Sequence, residues 1–253
     1  MKRPRKKKKE GVLDATVAAI TGIVILCGLG VWQLDRKVWK ENLIATLNAR
    51  LGEAPKDLPP RDSWPRLREN NDEFRRVTFP AEFIDGEEAL VYTVGSPLRG
   101  DVKGPGYWVF APARLAGGSI VVINRGFVPD DRKDPDMRME GVSHGIVDVV
   151  GVMRWPEVRN SFTPADEPQK NIWYARDFNS IAAFKKWATA APFYIDQEEP
   201  AASGGWPKPG KLEVHLPDNH LQYAITWFGL ALALAGVYVA WLARRLFGRK
   251  ERL

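Results

Sequence analysis

Two long apolar runs, one near each end, constrain this chain more than anything else in it. Residues 15–34 contain no charged side chain, and twenty residues in a helix cover about 30 Å, the thickness of a bilayer's hydrocarbon core. Residues 223–243 form a second run of the same reach, closed by Arg244 and Arg245. Small residues recur about one turn apart at Gly229, Ala233, Gly236 and Ala240, and again at Ala18 and Gly22, which permits close helix–helix contact. A cleaved signal peptide would also start basic and then turn apolar. This run is too long for one, lacks a small-x-small site after it, and leads through Gln33 and Arg36 straight into an amphipathic segment. Leu26 before Cys27 speaks against a lipoprotein signal. The pattern predicts a basic cytoplasmic tail (1–11), a first span (12–34), an extracytoplasmic domain (35–219), a second span (220–243) and a second basic tail (244–253).

Charge supports that division. Of the 37 basic residues, seven lie in the first nine positions and five in the last ten, whereas only Glu10 and Glu251 of the 31 acidic residues lie in the tails. The stretch between the tails is therefore net acidic. Nucleic-acid binding, which needs a basic face on the folded part, is disfavoured. Lys and Arg flanking apolar spans mark the cytoplasmic side. Both termini are thus expected in the cytoplasm and the domain outside it. The short lysine-rich start differs from the Ser/Arg mixture of a mitochondrial transit peptide, which points to a bacterial plasma membrane with the domain in the periplasm. Cys27, the single cysteine, excludes an internal disulfide, so a domain of roughly 185 residues must be stable on its packed core.

Within the domain, apolar spacing predicts a helix over 37–51, followed by a proline-rich loop (Pro55, Pro59, Pro60, Pro65). Strands are predicted over 75–84, 89–94, 106–113, 119–126 and 145–154, separated by glycine-rich turns. A helix capped by Asp177 is expected to reach Thr189, with 193–196 and 211–215 as further strands. The fold class is therefore an α+β membrane protein. Its two transmembrane helices flank an antiparallel, β-rich and partly barrel-like extracytoplasmic domain.

The chain has no GxSxG, P-loop, GxGxxG, HExxH or CxxC motif, and three histidines are too few for a histidine-rich metal cage. His144 falls in a predicted loop, where an exposed and unemployed imidazole is expected. His220 is placed differently, at the mouth of the second span beside Pro217 and Asp218, with Asn219 and Gln222 spaced as a helix start. On a helix His220, Ala224, Trp227 and Ala231 share one face. Neutral imidazole is a common axial ligand of haem iron, and an ionisable group at membrane depth is a functional candidate. The plainer alternative is that His220 sits at headgroup level with Tyr223 and Trp227 as belt residues.

Several segments together resemble the surfeit-locus (Surf/Shy) family of cytochrome c oxidase assembly factors. Residues 30–40 (GVWQLDRKVWK) close the first span, and 74–77 (FRRV) with Phe83 follow. Then come 106–109 (GYWV) through Pro112, 124–129 (NRGFVP), 151–154 (GVMR), Phe162 with Pro164, and Trp173 with Tyr174. Residues 219–228 (NHLQYAITWF) open the second span. The likeness extends from about residue 28 to 235; Phe127 stands where many relatives carry Trp. It implies an accessory factor for building haem-copper oxidase, and not an enzyme. That factor would bind haem a and help deliver it to oxidase subunit I, in company with other assembly factors. The alternative is a scaffold that stabilises assembly intermediates without touching haem. The family's haem-binding histidine falls on His220, so the candidate cofactor-binding residues are His220, Trp227, Tyr223, Arg36 and Gln33, with His220 as the iron ligand. Arg36, Lys37 or Arg125 are candidate partners for the propionates. Arg125, Arg154 and Trp173 have structural duty as their plainer reading, and Gly126 that of a strand turn or bulge.

Overall fold

The computed structural model describes residues 5–96, 98–141, 145–188, 191–214 and 218–247. His144 and the His215 end of the last predicted strand lie outside these residues. The chain divides into two compact units, Met1–Ile44 with Pro217–Leu253, and Ala45–Leu216.

The first unit is a helix pair. Helix α1 runs without a break over Arg5–Gly52 and passes into the second unit in its last two turns. The sequence suggests a span followed by a separate amphipathic helix, but nothing between Pro4 and Pro55 can end the first. No proline intervenes, and Gly28 and Gly30 are each tolerated inside a helix held by its neighbours. The helix stops where Gly52 and then Pro55 make continuation unfavourable. Among the described residues three further helices follow: α2 (Glu69–Asp72), α3 (Phe178–Lys185) and α4 (His220–Phe247).

Helices α1 and α4 are both long and apolar enough to cross a membrane. They meet along a stripe of small residues. Ala19, Ala224 and Ala231 are buried, a methyl added at Gly30 would meet the Phe228 ring at 2.6 Å, and one at Gly22 would meet Leu234 at 2.9 Å. Near the other end Thr16 Oγ1 and Tyr238 Oη share a 2.6 Å hydrogen bond. The contact pairs run in opposite directions along the two helices, so the pair is antiparallel. Their outward faces carry exposed Leu13, Val17, Val24, Leu232 and Val237. Water would not tolerate such a surface, and a bilayer would.

The second unit is built on eight strands: β1 (Lys56–Asp57), β2 (Arg76–Phe83), β3 (Ala89–Ser96), β4 (Arg99–Leu115), β5 (Ile120–Pro129), β6 (Ile146–Arg154), β7 (Ile172–Trp173) and β8 (Tyr194–Glu199). They form one sheet in the order β1-β2-β6-β8-β5-β4-β3-β7, with β2 also paired to β4. The five predicted strands are all present, and 193–196 becomes β8. Residues 211–214 belong to no strand and are fixed by Glu213 donating its N–H to the Leu98 carbonyl at 2.8 Å. The sheet is mixed where an antiparallel one is expected. β1–β2, β3–β7 and β5–β8 pair in parallel, because long connections containing helices and 3-10 turns carry the chain back before each.

Burial follows the strand period. In β2 Val77, Phe79, Ala81 and Phe83 are buried at every second position. β4 and β5 are buried on both faces, since alternate residues enter different clusters. Ala111, Ala113, Val121 and Ile123 join Val77, Met153, Phe193 and Ile195, while Trp108, Phe110 and Val122 join Trp173, Phe178, Ile181 and Tyr194. Each large side chain so buried contributes about 1.5–3 kcal/mol. Trp173 is one of them, which is the structural duty expected of it. Gly126 has φ +122°, and a methyl there would run into the Lys208 carbonyl, so only glycine lets residues 208–209 lie against β5.

α3 is capped as expected, Asp177 Oδ1 accepting from the Ser180 N–H, but it ends at Lys185, four residues short of the expected Thr189, with Lys186 taking a left-handed conformation just after it. Just before it, Arg176 and Glu157 lock two connections together. The Glu157 Oε1 accepts from Arg176 Nε at 2.9 Å and Nη2 at 2.5 Å, and its Oε2 from the Arg176 N–H at 3.1 Å. Burial alone would push the Glu157 carboxyl up, yet Arg176 outweighs it and holds the group below its ordinary 4.5. A depressed carboxylate contributes stability above its unfolded pKa and loses it as pH falls through the folded one. Glu157→Gln should therefore lower the unfolding midpoint at pH 7, and its gap to the parent protein should close as pH falls below 4.5. Denaturant melts across that range measure it.

Candidate functional site

The strongest candidate site lies within the helix pair, at the start of α4. Asp218 sets that start, its Oδ1 accepting the His220 N–H at 3.0 Å. Asn219 supplies a carbonyl for the Tyr223 N–H at 3.1 Å; the capping side chain is thus Asp218, one residue earlier than the Asn219 spacing suggests. The cap fixes where the first side chain of α4 emerges, and that side chain is His220.

His220 Nδ1 lies 2.7 Å from Gln33 Oε1 on α1. The two residues are 187 positions apart, and the antiparallel packing of the small-residue stripe brings them together. A carboxamide oxygen accepts only, so Nδ1 is the donor in this contact, and a ring neutral at Nε2 would turn that lone pair away from Gln33. Metal-binding histidines are commonly oriented in this way through the nitrogen that does not bind. Trp227, two turns along the same face, has its Nε1 buried without a hydrogen-bond partner among the described residues.

The remaining candidates are spread out. Tyr223 is 56% exposed. Arg36 points along its own helix, its guanidinium 4.2 Å from the centre of the Trp39 ring. Lys37 pairs with Glu41 at 2.5 Å. Arg125 belongs to β5 in the other unit, where it stacks over Phe83 at 4.5 Å and donates to the Gly141 carbonyl at 2.8 Å. Arg154, expected to serve structure, does so through Asp196 at 3.2 Å and Glu73 at 3.0 Å. Of the sequence-derived set, only His220 and Gln33 are brought into contact with each other through a hydrogen bond.

The donor chemistry fits a haem iron, since one oriented neutral imidazole is what such an axial site requires. The shared face of His220, Ala224, Trp227 and Ala231 does not open into a slot. Ala224 is 1% and Ala231 5% exposed because α1 fills the space against them. A flat macrocycle would have to reach His220 from outside that seam. Among the described residues no group of three or more His, Cys, Asp or Glu side chains is arranged to hold a bare metal ion.

Comparison with known proteins bears on what such an arrangement serves. The family model described as "SURF1 family" matches residues 20–232. "Surfeit locus protein 1" of Rattus norvegicus is 33% identical over 231 residues, covering 87% of this chain and 73% of the rat protein. The protein of the same name from Homo sapiens is 34% identical, covering 81% of this chain and 70% of its own length. The "SURF1-like protein" of Monosiga brevicollis is 34% identical over 91% of this chain and 87% of that protein. These three are eukaryotic, so they do not bear on the expected bacterial membrane.

Proposed function

Since the chain belongs to the SURF1 family, we propose that it is a membrane-bound assembly factor for haem-copper cytochrome c oxidase, acting as a carrier and not as an enzyme. In this reading α1 and α4 both cross the bilayer, with the basic ends on the side that retains positive charge and Ala45–Leu216 on the other. Haem a is the cofactor carried, and oxidase subunit I is the recipient. The observation that supports the reading most is the His220–Gln33 hydrogen bond. It orients a neutral imidazole at the non-cytoplasmic ends of two spans, where a hydrophobic macrocycle with a long tail is best kept.

The residues of this chain would divide the work simply. His220 offers Nε2 to the iron, and Gln33 keeps the imidazole in the right tautomer and orientation. Tyr223 and Trp227 offer aromatic surface beside it. Arg36, which stacks on Trp39 at the level of the first span's outer end, offers a cation for a propionate. When bound, the haem would supply a metal centre that the oxidase later uses. Nothing in the proposed role requires the carrier to change its oxidation state.

A second reading, a scaffold that holds assembly intermediates without haem, is favoured by the closed seam at Gly30–Phe228 and Ala224. Two measurements test the proposal. The chain purified from cells that make haem a should show the absorption bands of a ligated haem a; a colourless protein leaves the scaffold. Impermeant labelling of a cysteine placed at Val158, which is 92% exposed, should succeed from the non-cytoplasmic side only.

A further inference from the structure

The chain has four methionines, and the three beyond Met1 fall into two environments. Met153 is fully buried in the sheet's core, where an adaptable apolar side chain fills space well. Met137 and Met139 stand two residues apart in the 3-10 segment Pro135–Gly141 and are 56% and 67% exposed. Arg138 between them is 8% exposed, and its φ of −145° and ψ of 32° break the helical path. With Arg138 turned inward, its two neighbours project on the outward side of the segment. Their Cα atoms are at most about 7 Å apart, within reach of two flexible thioethers closing on one ion.

The backbone that carries the pair is pinned. Arg138 Nε donates to the Arg132 carbonyl at 3.1 Å, and its Nη2 donates to the Lys133 carbonyl at 3.3 Å and to Glu88. The Met137 N–H donates to the Asp134 carbonyl at 3.1 Å, and the Met137 carbonyl accepts from Arg132 Nη1 at 2.9 Å. Arg125 Nη2 holds the Gly141 carbonyl at 2.8 Å. Binding therefore has chiefly the two methionine side chains to order, which keeps its entropic cost low. Residues 130–141 also carry five acidic side chains against three basic ones, and Arg138 is already paired with Glu88. That excess of negative charge raises the local concentration of cations.

We propose that Met137 and Met139 form a surface site for copper(I), held between their two thioether sulfurs. Thioethers are soft donors that select copper(I), whereas harder divalent ions prefer carboxylate, carbonyl or imidazole. Among the described residues no group of three or more His, Cys, Asp or Glu side chains offers such an ion a rival site. A closed-shell monovalent ion accepts the low coordination that two neutral donors supply. So few donors make the ion exchangeable, as cargo is, and not a structural fixture. The site lies wholly within Ala45–Leu216 and depends neither on the reading of α1 and α4 as spans nor on His220.

The test uses the full chain in detergent under argon, with Cys27→Ser as background to remove the one thiol. Copper(I) is titrated against a chromophoric copper(I) chelator. A single equivalent should bind. Met137→Leu and Met139→Leu should each weaken binding by about tenfold or more, since each removes half of the donor set. The double variant should not compete with the chelator at all. Leucine keeps an apolar side chain of similar size at two exposed positions, and unchanged circular dichroism shows that the fold is kept. Silver(I), a soft monovalent probe that does not change oxidation state, should follow the same order. X-ray absorption at the copper edge should show a shell of sulfur. Copper(I) binding unchanged in the double variant, a shell of nitrogen and oxygen, or failure of the parent to compete with the chelator would each overturn the site. Loss in one single variant but not the other would overturn the pair as its ligands.

Discussion

His220→Ala should abolish ligation of haem a, with the low-spin absorption bands lost from protein purified from haem-a-producing cells. Gln33→Leu should weaken occupancy about 10–100-fold, the usual consequence of removing the hydrogen-bond partner of a metal-binding histidine. Both effects originate in the 2.7 Å contact between Gln33 Oε1 and His220 Nδ1. Without an acceptor there, the imidazole is free to turn and to protonate the nitrogen the iron needs. Gln33→Glu supplies a stronger acceptor and should retain haem, which separates an electronic role from mere packing. Imidazole added to His220→Ala should restore the bands, as it could not if the substitution had disturbed the fold. Equal haem content in wild type and His220→Ala would remove the ligand role and leave the scaffold reading.

The second large effect is on stability. Asp196→Ala should cost about 3–5 kcal/mol, because it leaves the Arg154 guanidinium buried with its main partner gone. Asp196 is 5% exposed and Arg154 7%; Asp196 accepts from Arg154 Nη1 at 3.2 Å and from Asn124 Nδ2 at 2.7 Å. The strand pairings β5–β8 and β6–β8 converge on this residue, so the loss falls at a seam of the sheet. Replacing both members, Asp196→Leu with Arg154→Leu, should recover much of the loss, since an apolar pair needs no solvation. Urea unfolding of the full chain in detergent, followed by tryptophan fluorescence, measures both. A single variant as stable as the parent would show that Glu73 and water satisfy Arg154 alone.

What the sequence made legible is what local pattern controls. The apolar runs predict α1 and α4, alternation predicts β2, β3, β5 and β6, and the Asp177 cap predicts α3. What it hid is what depends on partners far along the chain. β4 extends from Arg99 to Leu115, well beyond 106–113, because the end of β3 pairs with its glycine-rich start through Gly95–Lys103 and Ser96–Arg99, a stretch of weak strand propensity. The parallel pairings of β8 and β7 have no local signature, since either short apolar run would suit any edge. His220 could be singled out from its place at a span's mouth, and Gln33 from its motif. Their contact could not, because a register between two helices is set by which small residues interlock. On one helix alone the small side chains of Ala224 and Ala231 suggest room beside His220, but such room is what a neighbouring helix fills first.

Leu51, where the chain enters the sheet unit, and Val214, where it leaves, pack against one cluster of Leu98, Val152 and Leu212, and this has a thermodynamic consequence for the imidazole. An unfolded connection of well over a hundred residues would leave α1 and α4 to find one another at the low effective concentration of a long floppy loop. Folded, Ala45–Leu216 closes that loop by bringing Leu51 and Val214 onto one apolar cluster. The sheet thus raises the local concentration of one helix for the other, and melting it should weaken, without abolishing, the pairing that sets His220 against Gln33. Folding of one stretch of the chain is in this sense a term in the pairing strength of the helices that flank it.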